Sequence, residues 1–368
     1  VTVNLSTGTA TDAFNDTDTI ASGTIEEVHG TNLADSLTGD GNDNTLVGNE
    51  GDDQLYGLDG DDQLSGGSGN DTIDGGADKD RVRYDHDADW YGTSHGVIVN
   101  LSASALTSVS VDGIATTNVA AGTAIDTSGD TDTLIDIEKA RGTDFADMLV
   151  AGSANSSLDG LGGADTLQGG SGNDWLVGGA GNDAIDGGDG WDVLGYQDET
   201  GWQGGFQGVT VNLSTGTATD AFNDTDTIAL GTIEEVQGTE YSDDLTADSG
   251  GSTLIGRGGA DNLTGLGGND VIEGGVGDDT LTGGGGADRF YFYAGDGTDT
   301  IQDFDFVDGD AIDVSAFAGI ASTNDFASFS YDGISGDTTI DIDGTTTVIV
   351  SGVDLTALAN PEDAFHFV

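Results

Sequence analysis

The sequence contains no cysteine, one proline, one methionine and only seven lysine and arginine residues. Without cysteine there can be no disulfide, no zinc–thiolate cluster and no cysteine nucleophile. No run approaches 18 apolar residues, so no transmembrane segment is expected. The few basic residues leave 68 acidic residues unbalanced, giving a formal net charge of −61 over 368 positions. This charge repels nucleic-acid phosphates and anionic lipid, so it excludes a nucleic-acid partner and favours cations.

Glycine and internal repetition dominate what the sequence does contain. Apolar residues make up 35%, which would indicate disorder if the 64 glycines were scattered. Instead, residues 1–38 recur almost letter for letter at 209–246, and a looser copy begins at Val97. The sequence therefore predicts three tandem units and a distinct C-terminal region, at 1–96, 97–208, 209–291 and 292–368.

A nine-residue repeat of the form G-G-x-G-x-D-x-U-x, with U apolar, fills a block within each unit. Six copies lie in each of the blocks 30–83, 142–195 and 238–291. Position eight is apolar in all 18 copies, and position six is Asp in 15 of them. The exceptions fall in the second copy of each block, at Asn44, Ser156 and Ser252. Such phasing predicts that the position-eight side chains form the core.

The chemistry of one repeat predicts a turn followed by a very short strand. Glycine reaches positive φ without a Cβ penalty, so several carbonyl groups of the turn can point at one place. Two repeats close a coil of 18 residues, and stacked coils share a thin core. Aspartates 18 residues apart then stack, which places Asp53 beside Asp35 and Asp71. Carboxylate and carbonyl oxygens favour Ca²⁺ over zinc or copper, and a flexible turn suits Ca²⁺ better than Mg²⁺.

Several of these repeats closely resemble the calcium-binding repeats-in-toxin (RTX) family. The resemblance is carried by GNEGDDQLY, GLDGDDQLS and GGSGNDTID (48–74), and by similar copies at 169–186 and 265–282. It implies an all-β fold, a parallel β-roll or β-helix solenoid with three calcium-loaded blocks and a β-rich C-terminal cap.

The family pattern also implies that the position-six aspartates are the calcium ligands. The first-ranked candidates are Asp53, Asp62, Asp71, Asp80, Asp165, Asp174, Asp183, Asp192, Asp261, Asp270, Asp279 and Asp288. The position-six aspartates of the opening repeats follow, at Asp35, Asp147 and Asp243. The turns with Asn44, Ser156 or Ser252 are expected to hold metal weakly or not at all.

The segments outside the blocks are also predicted to be β-structure. VTVNLST and VIVNLS alternate apolar and polar residues and should continue the solenoid, whereas the Ser-, Ala- and Thr-rich segment from about Ala103 to Ser128 should form an excursion or loop. Two aromatic loops carry Trp90, Tyr91, Trp202 and Phe206. These side chains are interpreted as covers for an exposed end of the roll, in preference to a sugar-stacking platform.

The C-terminal region departs from the repeat after Phe290. Asp343-Gly344 between alternating segments predicts a tight hairpin. The region and its terminal DAFHFV resemble the end of serralysin-type exported proteins, which implies a type I secretion signal. A cap that hides the edge of the last coil is the alternative, and both roles can hold together.

No catalytic motif is evident. The four histidines form no H-E-x-x-H, and no G-x-S-x-G elbow follows a strand and opens a helix. A carboxylate pair chosen among 68 acidic residues has no weight, and the recurring Glu26, Glu138 and Glu234 are interpreted as turn or calcium ligands. The chain is therefore expected not to be an enzyme.

Together these features predict folding that depends on calcium. Without Ca²⁺ the aspartates repel and the thin core cannot offset chain entropy. Extracellular calcium modules bind in the range of about 10⁻⁴ to 10⁻³ M, so the chain would stay unfolded in the cytosol and fold outside the cell. Passage through type I secretion machinery is what the family resemblance implies.

Two functions remain open at this point. The first is a secreted structural, adhesive or surface-layer scaffold that contacts a cell-surface or polysaccharide partner. The alternative is the C-terminal secretion and folding module of an exported protease, lipase or polysaccharide-modifying enzyme. Val1 lies inside a repeated unit without a preceding Met, so further sequence is expected upstream.

Overall fold

The computed structural model describes most of the chain, in two compact units, Val1–Asp192 and Val193–Val368. The described residues are 1–85, 95–111, 114–115, 118–197, 204–326, 328–357 and 364–367. Trp90, Tyr91 and Trp202 of the predicted aromatic loops lie outside them, and Phe206 is 68% exposed. No helix in the described residues has the length and apolar character needed to cross a bilayer. The four segments inferred from the repeats remain a prediction.

Short strands make up the first unit, because each nine-residue repeat has one apolar residue at position eight and therefore one inward-facing side chain per strand. The strands are β1 Thr2–Asn4, β2 Thr9–Thr11, β3 Thr17–Thr19, β4 Glu27–His29, β5 Ser36–Thr38, β6 Thr45–Glu50, β7 Gln54–Asp59, β8 Gln63–Ser68, β9 Thr72–Ala77, β10 Arg81–Arg83, β11 Ile98–Asn100, β12 Leu106–Thr107, β13 Ser110–Val111, β14 Ile114–Ala115, β15 Asn118–Val119, β16 Thr123–Ile125, β17 Thr131–Ile135, β18 Lys139–Arg141, β19 Met148–Val150, β20 Ser157–Asp159, β21 Thr166–Gln168, β22 Trp175–Val177 and β23 Ala184–Asp186.

Successive coils of the first unit stack in parallel with a period of 18 residues. In one sheet β1, β5, β7, β9 and β17 pair in parallel, with Leu37 opposite Leu55 and Leu55 opposite Ile73. In the other, β4, β6, β8, β10, β18, β20 and β22 pair in parallel. Strand β11 lies parallel to β19, which continues through β21 to β23. The predicted parallel β-roll is confirmed, and β1 and β11 continue the solenoid as expected.

The second unit repeats this plan and ends in an antiparallel meander. Its strands are β24 Val193–Gly195, β25 Thr210–Asn212, β26 Thr217–Thr219, β27 Thr225–Ile228, β28 Glu235–Gln237, β29 Asp244–Thr246, β30 Thr253–Gly258, β31 Asn262–Thr264, β32 Val271–Val276, β33 Thr280–Thr282, β34 Arg289–Tyr291, β35 Thr298–Ile301, β36 Ala311–Asp313, β37 Ser328–Asp332, β38 Asp337–Asp341, β39 Thr347–Val350 and β40 Phe365–His366. Single 3₁₀ turns lie at Thr323–Asp325 and Leu355–Ala357.

The C-terminal region closes both sheets of the second unit. Strand β35 pairs in parallel with β33 and β39, and β36 pairs in parallel with β34 and β40. Strands β37, β38 and β39 then form antiparallel pairs, with Asp341 opposite Thr347 across the hairpin that contains Asp343 and Gly344. This arrangement agrees with the predicted hairpin and cap. The secretion signal remains a prediction.

The core lies inside the coils and is built from the position-eight side chains. All 18 are at most 2% exposed, from Leu37 in the first coil to Phe290 in the last. Burial of one such side chain stabilises a coil by about 1.5–3 kcal/mol, so each coil depends on its neighbours. The core prediction is confirmed.

The excursion of the middle segment is shorter than predicted. Strands β12 to β15 form two separate antiparallel pairs that leave the roll. Thr123–Ile125, which the prediction placed in the excursion, instead forms β16 of the main sheet and pairs antiparallel with β11 and β17. Ala124 is buried there between the half-buried Thr123 and Ile125, so one small inward-facing residue is enough for a strand at this site.

Candidate metal centre

Position one of the repeat is glycine in all copies but two, at Ala151 and Ala247, because two oxygen atoms occupy the space that a side chain would need. A Cβ at Gly48 would overlap the Oδ2 atom of Asp53 in the same repeat and the carbonyl oxygen of Gly66 in the next coil. The turn therefore brings a carboxylate oxygen and a carbonyl oxygen to one place. This is the convergence that the glycine pattern predicts.

Positions two and four hold the turn open by adopting left-handed backbone conformations. Gly181, at position four, has φ +135°, and a Cβ there would overlap the carbonyl oxygen of Gly163 in the preceding coil. From the third repeat of each block onward, position two keeps a positive φ even where it is not glycine, as at Asn49 (83°) and Leu161 (71°). Such conformations cost free energy for residues with a side chain, so the stacked coils must enforce them.

The position-six residues form rows, one member per coil, linked by hydrogen bonds between adjacent coils. The backbone N–H of Asp35 donates to Asp53 Oδ1 at 2.7 Å, and the N–H of Asp53 donates to Asp71 Oδ1 at 2.8 Å. The same bond links Asp165 to Asp183 at 2.8 Å and Asp174 to Asp192 at 2.8 Å. Each row aspartate thus uses one carboxylate oxygen to hold the preceding coil.

The second carboxylate oxygen of most row aspartates is buried without a hydrogen-bond partner. This holds for Oδ2 of Asp53, Asp62, Asp71, Asp80, Asp165, Asp174, Asp261, Asp270, Asp279 and Asp288. Asp183 and Asp192 occupy the same row position and are equally buried. A buried carboxylate oxygen that accepts nothing costs free energy unless a cation reaches it. The donor chemistry of the turns therefore fits a bound cation.

Burial raises the pKa of these carboxyl groups. It raises the pKa of Asp53 to about 7 and that of Asp270 to about 7, with the neighbouring carboxylates adding to the effect. Burial also raises the pKa of Asp261 to about 8, and the charges of Asp243 and Asp279 contribute. These groups resist ionisation in the fold by themselves, so a cation is needed to stabilise their charged forms.

The first members of the rows differ from the interior members. In Asp147, Oδ2 accepts the N–H of Thr143 at 2.6 Å and Oδ1 accepts the N–H of Val97 at 2.6 Å. The Asp243 carboxylate is held in the same way, by Thr239 and Val209 at 2.7 Å each. Asp35 accepts hydrogen bonds from Val1 and Thr31. The other rows begin at Asn44, Ser156 and Ser252, which carry no carboxylate.

Residues outside the repeats extend four rows, and the search for nonamers missed this role. The N–H of Asp71 donates to Asp132 Oδ1 at 3.0 Å, and that of Asp80 donates to Glu138 Oε2 at 3.0 Å. In the second unit, Asp299 and Asp310 play this part for Asp279 and Asp288, also at 3.0 Å. Each added acid precedes a buried apolar residue by two positions, as in the repeat, and that spacing is a signal in the sequence.

No group of three or more His, Asp or Glu side chains converges on a single point within the described residues. An ion in a turn would combine one or two carboxylates with backbone carbonyl groups or water. Such an all-oxygen, mainly neutral shell suits Ca²⁺, which accepts six to eight oxygen ligands in flexible geometry. It does not suit zinc or copper, which select nitrogen and sulfur.

Comparison with known proteins identifies the repeats. A family model described as the RTX calcium-binding nonapeptide repeat matches residues 29–64, 56–90, 141–176, 168–195, 237–272 and 264–301. These matches cover the three blocks predicted from the sequence. A comparison with curated proteins gives no match.

Three solved structures are similar to parts of this chain. The solution structure of the AlgE6R3 subunit of the Azotobacter vinelandii mannuronan C5-epimerase is 32% identical, with 34% of this chain and 78% of that chain covered and a TM-score of 0.29. The solution structure of the AlgE6R2 subunit of the same enzyme is 31% identical. That match covers 35% of this chain and 89% of the subunit, with a TM-score of 0.29.

The third is the crystal structure of the extracellular lipase LipA from Serratia marcescens, which is 21% identical. That match covers 62% of this chain and 40% of the lipase, with a TM-score of 0.31. At these TM-scores the assignment rests on the repeats alone. With several copies of the nonapeptide matched in all three blocks, the chain belongs to the family of RTX calcium-binding repeat proteins.

Proposed function

We propose that this chain is a non-catalytic calcium-binding scaffold whose fold at neutral pH forms only when Ca²⁺ enters the turns. The supporting observation is the set of buried Oδ2 atoms that accept no hydrogen bond while Oδ1 holds the neighbouring coil. Six of these oxygens lie beside a glycine carbonyl group of the next coil, those of Asp53, Asp62, Asp165, Asp174, Asp261 and Asp270. A calcium ion there would bind one carboxylate and carbonyl groups of two coils.

The proposed ligands are the interior members of the rows. They are Asp53, Asp62, Asp71, Asp80, Asp165, Asp174, Asp183, Asp192, Asp261, Asp270, Asp279 and Asp288. Asp35, Asp147 and Asp243 are proposed as end anchors, because protein donors already occupy their oxygens.

The energetics favour folding that is gated by calcium. An ion that binds only the folded state stabilises it by RT ln(1 + [L]/Kd), about 2.7 kcal/mol at a hundredfold excess over Kd. A domain is stable by only about 5–15 kcal/mol, so several such ions decide whether the chain folds. Cytosolic calcium is too low for modules with millimolar Kd, and extracellular calcium is sufficient. We therefore place the folded form outside the cell, after export by type I secretion machinery.

A structural role follows from where the acidic groups lie. The row carboxylates link neighbouring coils through Oδ1, and the pair of His29 and Glu27, at 2.7 Å, lies on the exposed strand β4. His366 pairs with the buried Asp313, also at 2.7 Å. A cell-surface component or a polysaccharide is the proposed partner class for the outer strand faces.

Circular dichroism of the purified chain in chelator and after addition of millimolar Ca²⁺ tests this function. We expect a spectrum of unfolded chain in chelator and β-structure in calcium, with the same concentration of Mg²⁺ as the control. Equal β-structure in chelator and in calcium would refute gated folding. Full recovery with Mg²⁺ would refute the assignment of the turns to calcium.

A further inference from the structure

The turn at Asp126–Asp130 lies outside the nonapeptide repeats and carries a carboxylate of the same unusual kind. It connects β16 to β17, in the stretch between the matched residues 56–90 and 141–176. The backbone closes the turn through hydrogen bonds from Asp126 N–H to Asp130 and from Gly129 N–H to Asp126, both at 3.1 Å. A surface turn of this composition normally leaves its acidic side chain in solvent.

Asp126 is instead 0% exposed, and only one of its two carboxylate oxygens accepts hydrogen bonds. Its Oδ1 accepts the N–H of Ser128 at 2.9 Å and the N–H of Asp130 at 2.8 Å. Its Oδ2 is buried and accepts no hydrogen bond. The turn geometry needs only Oδ1, so the buried position of Oδ2 has no structural purpose within the turn itself.

The pairing of β17 with β9 places this turn beside the last nonapeptide turn of its row. Thr133 lies opposite Thr72 in parallel register, and the N–H of Thr131 donates to Asn70 Oδ1 at 3.1 Å. Both turns therefore lie at the same ends of their strands. Asp71, which directly precedes Thr72, also has a buried Oδ2 that accepts no hydrogen bond.

A third carboxylate, that of Asp132, already accepts a hydrogen bond at each of its two oxygens. Asp132 Oδ1 accepts the N–H of Asp71 at 3.0 Å, and its Oδ2 accepts the hydroxyl of the buried Tyr84 at 2.9 Å. Burial is the main reason that the pKa of Asp71 rises to about 7, and the charges of Asp53 and Asp126 add to it. Asp71 and Asp126 thus each carry a buried carboxylate oxygen that accepts no hydrogen bond, and their turns lie at the same end of the paired strands β9 and β17.

We propose that Asp126 and Asp71 together bind a Ca²⁺ ion that closes the row where the nonapeptides end. Carbonyl groups or water would supply the remaining oxygen ligands. The inference rests on the proposed function, because Asp71 also belongs to the row. The turn recurs at Asp220, whose Oδ1 accepts the N–H of Phe222 at 2.9 Å and of Asp224 at 2.7 Å and which is also buried.

The N-terminal copy of the same turn provides a matched control. Asp12 Oδ1 accepts the N–H of Phe14 at 2.8 Å and of Asp16 at 2.9 Å, yet the side chain is partly exposed. Strand β3, which follows this turn, pairs only with β2 among the described strands. Asp12→Asn therefore changes the same turn without a buried second oxygen.

Native mass spectrometry of the calcium-loaded chain tests the site by counting bound ions. We expect Asp126→Asn, which keeps the Oδ1 acceptor, to bind one ion fewer than the unmodified chain, and Asp12→Asn to bind the same number. If the unmodified chain binds no calcium ions, the proposed function itself is refuted. Many ions in the unmodified chain and an equal number in Asp126→Asn would overturn only the Asp126 site.

A second measurement, made on the unmodified chain, tests the site even if the Asp126→Asn variant does not fold. Crystals of the unmodified chain grown in calcium should give an anomalous difference peak within calcium–oxygen distance, about 2.3–2.6 Å, of both the Asp71 and Asp126 carboxylates. Peaks in the nonapeptide turns with none at Asp126 would overturn the inference and leave the proposed function intact.

Discussion

Replacing Asp261 or Asp243 by asparagine should separate a calcium ligand from an end anchor within one row. The two residues stack 18 positions apart, with the N–H of Asp243 donating to Asp261 Oδ1 at 2.8 Å. Asp261 Oδ2 is buried without a hydrogen bond, whereas Asp243 Oδ2 accepts the N–H of Thr239 at 2.7 Å. Asparagine keeps the Oδ1 acceptor in both cases and removes the charge. The two variants therefore differ mainly in what the second oxygen does.

The expected magnitude follows from linkage. An ion bound only in the folded state adds about 1.4 kcal/mol to the free energy of unfolding for each tenfold rise in calcium above Kd. Asp261→Asn should lose that increment for each ion removed, so its calcium dependence should be shallower by at least about 1.4 kcal/mol per decade. Asp243→Asn loses the hydrogen bond from Thr239, which costs about 1–3 kcal/mol at every calcium concentration and leaves the slope unchanged.

The direction in which Asp261→Asn changes stability at low calcium gives a second check. Burial, together with the Asp243 charge, raises the pKa of Asp261 to about 8, so ionisation of this group opposes folding without a cation. Asparagine removes that cost. Asp261→Asn should therefore need less calcium to begin folding, yet gain less from further calcium.

Urea unfolding followed by far-UV circular dichroism measures these differences. Titrations at about 1 and about 10 mM Ca²⁺ cover the upper end of the Kd range of extracellular modules and the decade above it. Parallel calcium dependence in Asp261→Asn and the unmodified chain would refute the ligand assignment. A shallower slope in Asp243→Asn would refute its assignment as an anchor.

Two further predictions concern pH and the turn backbone. In chelator, β-structure should increase as pH falls from about 7.5 to about 5. Burial raises the pKa of Asp53 from 3.8 to about 7, so the metal-free fold binds more protons than the unfolded chain in this range. The metal-free fold therefore loses stability as pH rises through the range. Circular dichroism that is unchanged by acidification in chelator would contradict this. Gly181→Ala should lower the urea midpoint in calcium by more than Gly231→Ala, because both have positive φ but only the first Cβ meets a carbonyl oxygen, that of Gly163. Equal losses would show that backbone strain alone matters.

The regular part of the fold could be predicted because the repeat leaves few alternatives. An apolar residue at position eight of every nonamer allows only one inward-facing side chain per strand, and two nonamers are needed to close a coil. The register of Leu37 with Leu55, 18 residues on, follows directly. The rows of aspartates follow from the same period, as the bond from Asp35 to Asp53 confirms.

The ends of the rows could not be predicted from that period. Asp132 and Glu138 continue rows at separations of 61 and 58 residues, and Asp299 and Asp310 at 20 and 22, so a search for 18-residue spacing passes over them. The proposed division between calcium ligands and anchors was also hidden, because Asp147 and Asp165 occupy the same position in the repeat. Only the structure places the N–H groups of Val97 and Thr143 on Asp147.

These row ends explain how a chain with a net charge of −61 can limit the number of ions it needs. Where a row begins, backbone N–H groups satisfy the carboxylate, as Thr239 and Val209 do for Asp243. Where a row of the first unit ends, the hydroxyl of Tyr84 satisfies Asp132. Between the ends, one oxygen per coil is left for a cation, so the demand for calcium grows with the number of interior coils. Because each ion would contact two coils, its loss should loosen those coils first and spread only through nearest neighbours.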